Sequence, residues 1–217
     1  MSNPTIKFKR ALRDIFKRNV PADDFVGYEK LVAFIKKRSL QRLDGDVIEI
    51  GAFMGGGTVK LAEFASKYGK KVYAIDTFEP GLDQTVSKSG ITARAVYDAY
   101  LEGRSMWEVY EETTSGFDNI ITIREDSRKI KFAREQKFIF GFIDGCHQEA
   151  FVTNDFYIVW PHLVSGGVLG LHDYKYHDWP EVTQAVDKLI DRHRDEIGEI
   201  HEVQGKYDIL SVLLVKK

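Results

Sequence analysis

The sequence predicts a doubly wound α/β fold, in which helices cover both faces of a mostly parallel sheet. Short apolar segments of strand length alternate with segments of helical apolar spacing from Gly45 onward. A glycine-rich loop follows the first of these strands and precedes the first of these helices. Two final apolar segments, separated by a short turn, predict a C-terminal antiparallel hairpin at the sheet edge.

The parallel strands are predicted from short apolar segments, several of which end in a turn residue. Such segments are typical of strands that are buried on both faces. In chain order they are residues 45–51, 71–76, 121–126, 137–145 and 167–173. Helices are predicted at residues 58–69, at 149–159 and from Pro180 to about Ile197, with a turn at 165–167 before the fifth strand. Residues 200–204 and 209–217 form the predicted hairpin.

Composition and charge limit the classes of function. The 217 residues carry 31 Lys and Arg against 33 Asp and Glu, for a formal net charge of −2, which gives no electrostatic footprint for nucleic acid. The single cysteine, Cys146, excludes an intrachain disulfide and a cysteine-based zinc site. No signal peptide or membrane-spanning run is evident, so we expect a cytoplasmic protein without a membrane partner.

The chain is expected to contain one α/β domain and an N-terminal extension. Residues 1–42 form the predicted N-terminal helical segment, within which the basic stretch Lys7–Arg18 is either a docked helix or an amphipathic contact helix. Residues 43–217 form the domain. Residues 79–119 are too long for a simple crossover, and their aromatic residues predict a helical insertion that is either a lid or a structural element.

Acidic residues lie at or beside the end of every predicted parallel strand. They are found in Glu49–Gly51, at Asp76, Asp126 and Asp144, and in His172–Asp173. Ligands of open α/β sheets bind at the carboxyl ends of the strands, near the point where the strand order reverses. The sequence therefore places a candidate site at this edge.

The loop after the first strand favours a nucleoside ligand. Gly51 permits a tight turn, and the glycines at 55–57 let the backbone approach a ligand. Asp76 is placed to accept hydrogen bonds from ribose hydroxyls. Phe53 replaces the second glycine of the dinucleotide motif, and Glu49 would repel a diphosphate. Glu49 could instead accept from the cationic amino group of S-adenosylmethionine. A nicotinamide-dependent oxidoreductase is therefore the weaker alternative.

Four motifs resemble the macrocin O-methyltransferase and cephalosporin-hydroxylase-like group of class I methyltransferases. They are GDVIEIGAFMGGGT at 45–58, IDTFE at 75–79, IDGCH at 143–147 and GGVLGLHDY at 166–174. The resemblance covers about residues 43–217 and implies a seven-stranded Rossmann-like sheet with S-adenosylmethionine as the cofactor. In class I methyltransferases the adenine ring commonly contacts the position of Asp126 and Ser127, although Asp126 could simply cap a helix. The predicted cofactor-binding residues are Glu49, Gly51, Ala52, Phe53, Gly55, Thr58, Asp76, Thr77, Asp126, Ser127 and Asp144.

A second cluster follows the fourth and fifth strands. Carboxylates with few nitrogen ligands suit Mg²⁺ or a similar cation, which could lower the pKa of an acceptor hydroxyl. The resemblance implies Asp144 and Asp173 as metal ligands and His147 as the general base, and we add His172 as a ligand. Position 172 is often acidic in metal-dependent relatives, so His172 weakens the case for Mg²⁺ and favours Mn²⁺, Fe²⁺ or Zn²⁺. Alternatively, Asp144 caps a helix and the two histidines are structural.

The predicted activity is transfer of a methyl group from S-adenosylmethionine to a hydroxyl oxygen of a small molecule. His147 and Asp144 are the predicted catalytic residues, with Mg²⁺ or Mn²⁺ as a candidate cofactor. One alternative is a non-catalytic S-adenosylmethionine-binding protein. A weaker alternative is the hydroxylase activity in the name of the family that the sequence resembles. No set of iron ligands is evident beyond His147, Asp144 and His172. The sequence does not identify the acceptor and leaves a homo-oligomer open.

Overall fold

A seven-stranded sheet forms the centre of the protein in a computed structural model, which describes residues 26–205 and 209–217. The strand order is β3-β2-β1-β4-β5-β7-β6. Strands β1 to β5 pair in parallel, and β7 runs antiparallel to both β5 and β6. The strands are β1 (Asp46–Ile50), β2 (Val72–Asp76), β3 (Ile120–Arg124), β4 (Phe138–Ile143), β5 (Leu163–Tyr174), β6 (Ile197–Gln204) and β7 (Leu210–Lys216). The doubly wound α/β fold with a C-terminal antiparallel hairpin is thus confirmed.

Helices cover both faces of this sheet. They are α1 (Tyr28–Lys37), α2 (Gly56–Ser66), α3 (Ala93–Leu101), α4 (Met106–Thr114), α5 (Glu149–Val159) and α6 (Pro180–Arg192). On one face Leu31 of α1 and Phe64 of α2 pack with Phe140 of β4. On the other face Phe156 of α5 and Val186 of α6 pack with Leu171 of β5. No helix in the described part of the chain is long and apolar enough to cross a membrane.

The region between β2 and β3 contains α3 and α4. Phe78, Trp107 and Tyr110 pack together there, with the Phe78 and Tyr110 ring centroids 4.4 Å apart. This cluster joins Ala74 of β2 in a third apolar core. The insertion is therefore anchored to the sheet through Trp107 and Tyr110, which pack on Phe78. The predicted helix at Lys7–Arg18 lies outside the described residues.

Two predicted boundaries were wrong. Strand β5 begins at Leu163, and the turn expected at 165–167 is an irregularity within the strand, where Gly166 has φ 76° and the register with β4 shifts. Helix α6 ends at Arg192, whereas Ile197 begins β6 and pairs with Lys216. The intervening residues contain no glycine or proline, so local pattern alone extended the helix across this tertiary boundary.

The strand order reverses between β1 and β4, which places a ligand site at their carboxyl ends. Ile50 lies opposite Ile143, and the Asp144 amide donates to the Ile50 carbonyl at 2.8 Å. Neighbouring strands lie about 4.8 Å apart, so the five ends from β3 to β5 extend over roughly 19 Å. All the predicted strand-end residues lie along this edge.

Candidate active site

Gly51 joins the loop after β1 to the end of β4. Its φ of 92° lies in the left-handed region, and a Cβ atom at this position would lie 2.0 Å from the Asp144 carbonyl oxygen. Only glycine meets both conditions without moving the backbone. The loop that begins helix α2 is therefore in direct contact with the strand end that carries Asp144.

Glu49 lies beneath the glycine loop and is fully buried. Tyr28 donates a hydrogen bond to its Oε1 atom at 2.7 Å, and Thr58 donates to its Oε2 atom. Burial raises the pKa of Glu49 to about 7, against the opposing effect of both hydrogen bonds. The Tyr28 ring can reach this position because residue 57 is glycine, where a Cβ atom would lie 2.1 Å from the ring.

Asp76 holds the two loops that follow β1 and β2. Its Oδ2 atom accepts from the Phe53 amide and its Oδ1 atom from the Phe78 amide, each at 2.8 Å. Both donors have left-handed backbones, with φ of 49° and 55°. Burial raises the pKa of Asp76, although the backbone hydrogen bonds oppose this effect. The carboxylate thus fixes the shape of the loops and also lines the adjoining cavity.

Residues after β3 form one end of the site. Asp126 accepts from the Arg128 amide at 2.9 Å as the cap of a short 3₁₀ helix, as the capping alternative predicted. Arg128 also pairs with the Asp126 carboxylate through its side chain and lies over the Phe151 ring, 4.3 Å from its centroid. This hydrogen bonding lowers the pKa of Asp126. A flat aromatic and guanidinium surface therefore borders the cavity here.

Asp155 is a buried carboxylate that the sequence did not indicate. It belongs to α5, where a helical pattern alone gives no sign that this face lines the site. Burial raises its pKa to about 6, while hydrogen bonds from Ser127 and Asn154 act in the opposite direction.

At the other end, the ends of β4 and β5 bring four predicted residues together. Asp144, His172 and Asp173 each offer one ligand atom within 4.8 Å of the others. His147 Nε2 lies 3.0 Å from Asp173 Oδ2, and the His147 ring stacks on Trp179 with centroids 4.1 Å apart. His147 Nδ1 is buried and has no hydrogen-bond partner among the described residues.

Charge within this cluster shifts the acidity of its members. Burial lowers the pKa of His147, but the hydrogen bond and charge of Asp173, together with the charges of Asp144 and Asp83, more than offset this, and the pKa is raised overall. The reverse holds for Asp173, where the two histidines outweigh burial and lower its pKa. Burial raises the pKa of Asp144. Both shifts favour the state in which the proton stays on His147 and the negative charge on Asp173.

The donor set fits a divalent metal ion. The His172 Nδ1 atom lies 3.0 Å from the Ser211 hydroxyl, which leaves Nε2 facing Asp173 at 3.8 Å. A ligating histidine is usually oriented by such a hydrogen bond on its second nitrogen. Two carboxylates with one imidazole suit Mn²⁺, Fe²⁺ or Zn²⁺ better than Mg²⁺.

A cavity of about 650 Å³ extends from the residues after β3 to the cluster at the ends of β4 and β5. Four predicted cofactor-binding residues are not part of its lining: Glu49 and Thr58 bond to each other beneath the loop, and Ala52 and Gly55 also lie outside the wall. The predicted residues that do line it are Gly51, Phe53, Asp76, Thr77, Asp126, Ser127, Asp144, His147, His172 and Asp173.

The insertion contributes lining residues that the sequence did not assign. Its segment at 83–91 reaches across the strand ends, because Thr85 Oγ1 lies 3.6 Å from Cys146 Sγ. The Lys88 and Ser89 amides also donate to Asp178, at 3.0 and 3.1 Å. Asp83 and Tyr97 thereby enter the cavity wall. No motif marked them, because they come from a loop whose path depends on tertiary contacts.

Comparisons with known proteins agree with this geometry. Residues 48–174 match a family model described as a methyltransferase domain. No curated protein matches the chain. Among solved structures, the O-methyltransferase NovP is 13% identical with a TM-score of 0.63, covering 88% of this chain and 79% of its own.

Two further structures share the fold. CalS11, a TDP-rhamnose 3′-O-methyltransferase of calicheamicin biosynthesis, is 16% identical with a TM-score of 0.55, covering 99% of this chain and 96% of its own. The N-methyltransferase NodS from Bradyrhizobium japonicum WM9 is 15% identical with a TM-score of 0.54, covering 87% and 95%. At these identities the likeness shows the fold alone. Because the family model matches more than half of its residues, the chain belongs to the methyltransferase-domain family, within the class I S-adenosylmethionine-dependent methyltransferases.

Proposed function

We propose that the protein transfers a methyl group from S-adenosylmethionine to a hydroxyl oxygen of a small molecule. The observation that carries the proposal is the cluster of Asp144, His147, His172 and Asp173, which opens into the same cavity as the glycine loop. A proton acceptor beside a polar cluster suits a hydroxyl that must lose its proton as it attacks.

The cofactor is proposed to lie across the ends of β3, β2, β1 and β4. Arg128 and Phe151 would face the adenine ring, Asp76 the ribose and Gly51 the amino-acid part. Glu49 is proposed to act from beneath the loop, by fixing helix α2 through Thr58, and not by contacting the cofactor. This placement leaves the ends of β4 and β5, together with the insertion, for the acceptor.

In the proposed step, the acceptor oxygen attacks the methyl carbon of the sulfonium. The O–CH₃ bond forms as the S–CH₃ bond breaks, the sulfur keeps the electron pair, and the hydroxyl proton passes to His147. With Nε2–H donated to Asp173, His147 Nδ1 carries the free lone pair. Nδ1 is buried in the present structure, so some of the side chains around it must move when the acceptor binds. Positioning of the two reactants supplies most of the expected acceleration.

Asp144, His172 and Asp173 are proposed to hold a divalent cation when one is bound. Such an ion would polarise the acceptor hydroxyl and lower its pKa. Trp179 keeps the His147 ring beside this cluster by stacking on it. Proton acceptance by His147 requires no metal, so the two contributions can be separated by experiment.

Calorimetric titration with S-adenosylhomocysteine and with NAD tests the cofactor. We expect binding of the nucleoside and none of NAD, and the reverse result would overturn the proposal. Transfer from labelled S-adenosylmethionine to a panel of hydroxylated acceptors, with Mn²⁺, Mg²⁺ or EDTA, then tests catalysis. Identification of the product as a methyl ether by mass spectrometry is the expected outcome.

His147→Gln tests the proton acceptor. We expect kcat to fall about 10²- to 10⁴-fold while S-adenosylhomocysteine still binds, because general-base catalysis contributes this much. His201→Gln is the matched control, since His201 lies on β6, away from the cavity lining. Full activity of His147→Gln would remove the assignment.

A further inference from the structure

The cavity wall is acidic. Among the described residues that line it, Arg128 is the sole arginine or lysine, and it is already paired with Asp126. Two other acidic residues of the wall also have a basic partner: Glu79 pairs with Arg124, and Glu125 pairs with Lys129. The lining carboxylates without an arginine or lysine partner among the described residues are Asp76, Asp83, Asp144, Asp155, Asp173 and Asp178.

On the acceptor side, the carboxylate of Asp83 is held by three hydrogen bonds. Its Oδ1 atom accepts from the Thr85 amide at 2.9 Å, and its Oδ2 atom accepts from the Tyr97 hydroxyl at 3.0 Å. The Thr85 hydroxyl also donates to it and contacts Cys146, two residues beyond Asp144. The insertion thus fixes a negative charge close to the end of β4.

The acidic wall continues into an apolar rim. Leu82, Ile91, Val96 and Tyr100 are large apolar or aromatic side chains that are exposed and also line the cavity. Leu82 is 68% exposed and Ile91 50% exposed. All of them belong to the insertion, whose turn is tied to Asp178 on the opposite side of the site. Exposed apolar groups around a cavity mouth are typical of a surface that a ligand covers.

We propose that the acceptor is uncharged or cationic, has an apolar body that packs on the insertion, and is selected against negative charge by Asp83. The proposal rests on the methyltransferase function proposed above and names the class of its acceptor. An anionic acceptor would enter a partly desolvated site among carboxylates, where like charges repel strongly.

A bound divalent cation would not remove this selection. It would offset the negative charges of Asp144 and Asp173, which are its proposed ligands. The negative charges of Asp83 and Asp178 would remain. A diphosphate such as that of TDP-rhamnose, the sugar nucleotide of CalS11, would find no unpaired arginine or lysine in the described lining. The expected acceptor therefore differs in charge from that substrate.

Three phenols whose para side chain contains two carbons and is neutral, anionic or cationic test the proposal: para-ethylphenol, para-hydroxyphenylacetate and tyramine. Binding to the protein saturated with S-adenosylhomocysteine is followed by tryptophan fluorescence at fixed Mn²⁺. We expect the neutral and cationic phenols to bind at least about tenfold more tightly than the anion. Equal or tighter binding of the anion would overturn the proposal, as would failure of all three to bind.

Asp83→Asn tests whether Asp83 is the residue that selects against negatively charged acceptors. We expect the preference for the neutral over the anionic phenol to narrow severalfold, because one fixed charge is removed. Asp98→Asn is the control, since Asp98 is an exposed aspartate on α3 that pairs with Arg94 outside the cavity. An unchanged preference in Asp83→Asn would refute the role of Asp83. Should that variant fail to fold, the wild-type comparison still decides the charge class of the acceptor, and Asp178→Asn tests whether the other unpaired carboxylate on this side contributes to the selection.

The two proposals fail in distinguishable ways. Absence of S-adenosylhomocysteine binding would remove the methyltransferase function and be seen before any phenol is added. Cofactor binding without a charge preference would remove only the acceptor class.

Discussion

Glu49→Gln is expected to remove a pH dependence from the stability of the protein. Glu49 is fully buried, and its pKa rises from 4.5 to about 7 on folding because burial penalises the charged carboxylate. The folded state therefore holds a proton that the unfolded state has released in this pH range. As a result, the free energy of unfolding falls as the pH rises from about 4.5 through about 7.

The size of the effect follows from the shift. A difference of about 2.5 pKa units corresponds to about 3 kcal/mol, at about 1.4 kcal/mol per unit. Most of this, about 2 kcal/mol or more, is lost between pH 5 and pH 8. A glutamine keeps the shape and can still bond to the Tyr28 and Thr58 hydroxyls, but it has no proton to lose. The variant should be similar to the wild type at pH 5 and more stable at pH 8.

Urea unfolding at pH 5 and pH 8, followed by tryptophan fluorescence without ligand, measures the difference. Glu63→Gln, on the same helix α2 but outside this buried pair of hydrogen bonds, controls for general loss of charge. Tyr28→Phe removes a donor that lowers the pKa of Glu49, so its transition should move to higher pH. Equal pH dependence in Glu49→Gln and the wild type would refute the argument, because Asp76 and Asp155 titrate in both.

Two further substitutions test the loop geometry. Gly51→Ala should destabilise the protein and abolish binding of S-adenosylhomocysteine, since the new Cβ atom would lie 2.0 Å from the Asp144 carbonyl oxygen; calorimetry that finds unchanged affinity would contradict this. Asp76→Asn replaces a charged acceptor of two backbone amides, at Phe53 and Phe78, and should weaken nucleoside binding by about tenfold or more in the same titration.

The strand ends could be predicted from the sequence because they depend on local pattern. A short apolar segment that ends in a carboxylate, as at Asp76 or Asp144, locates both a strand and its end. Parallel topology then brings those ends to one edge without further information. His147 and Asp173 could be placed together for the same reason, although their 3.0 Å contact could not.

The state of Glu49 could not be predicted, because it depends on a partner from another element. Tyr28 lies 21 residues earlier, and nothing in its local sequence links it to the glycine loop. The open backbone at Gly57 is what admits its ring, so a glycine expected to face a ligand instead receives a tyrosine. The sequence pattern locates a carboxylate, but it does not show whether that carboxylate will contact water, a ligand or a buried hydroxyl group.

The residues that the sequence predicted and those that it did not predict have different roles in the proposed chemistry. Groups at the strand ends serve steps that are common to many acceptors: binding the nucleoside, aligning the methyl group and receiving a proton. Asp83, Tyr97 and the apolar rim come from the insertion, whose path across the sheet is fixed by Thr85 and by the amides that meet Asp178. A change in this loop could alter which acceptor binds while leaving the strand ends intact. Acceptor preference should therefore respond to substitutions in the insertion, and cofactor affinity to substitutions at Gly51 and Asp76.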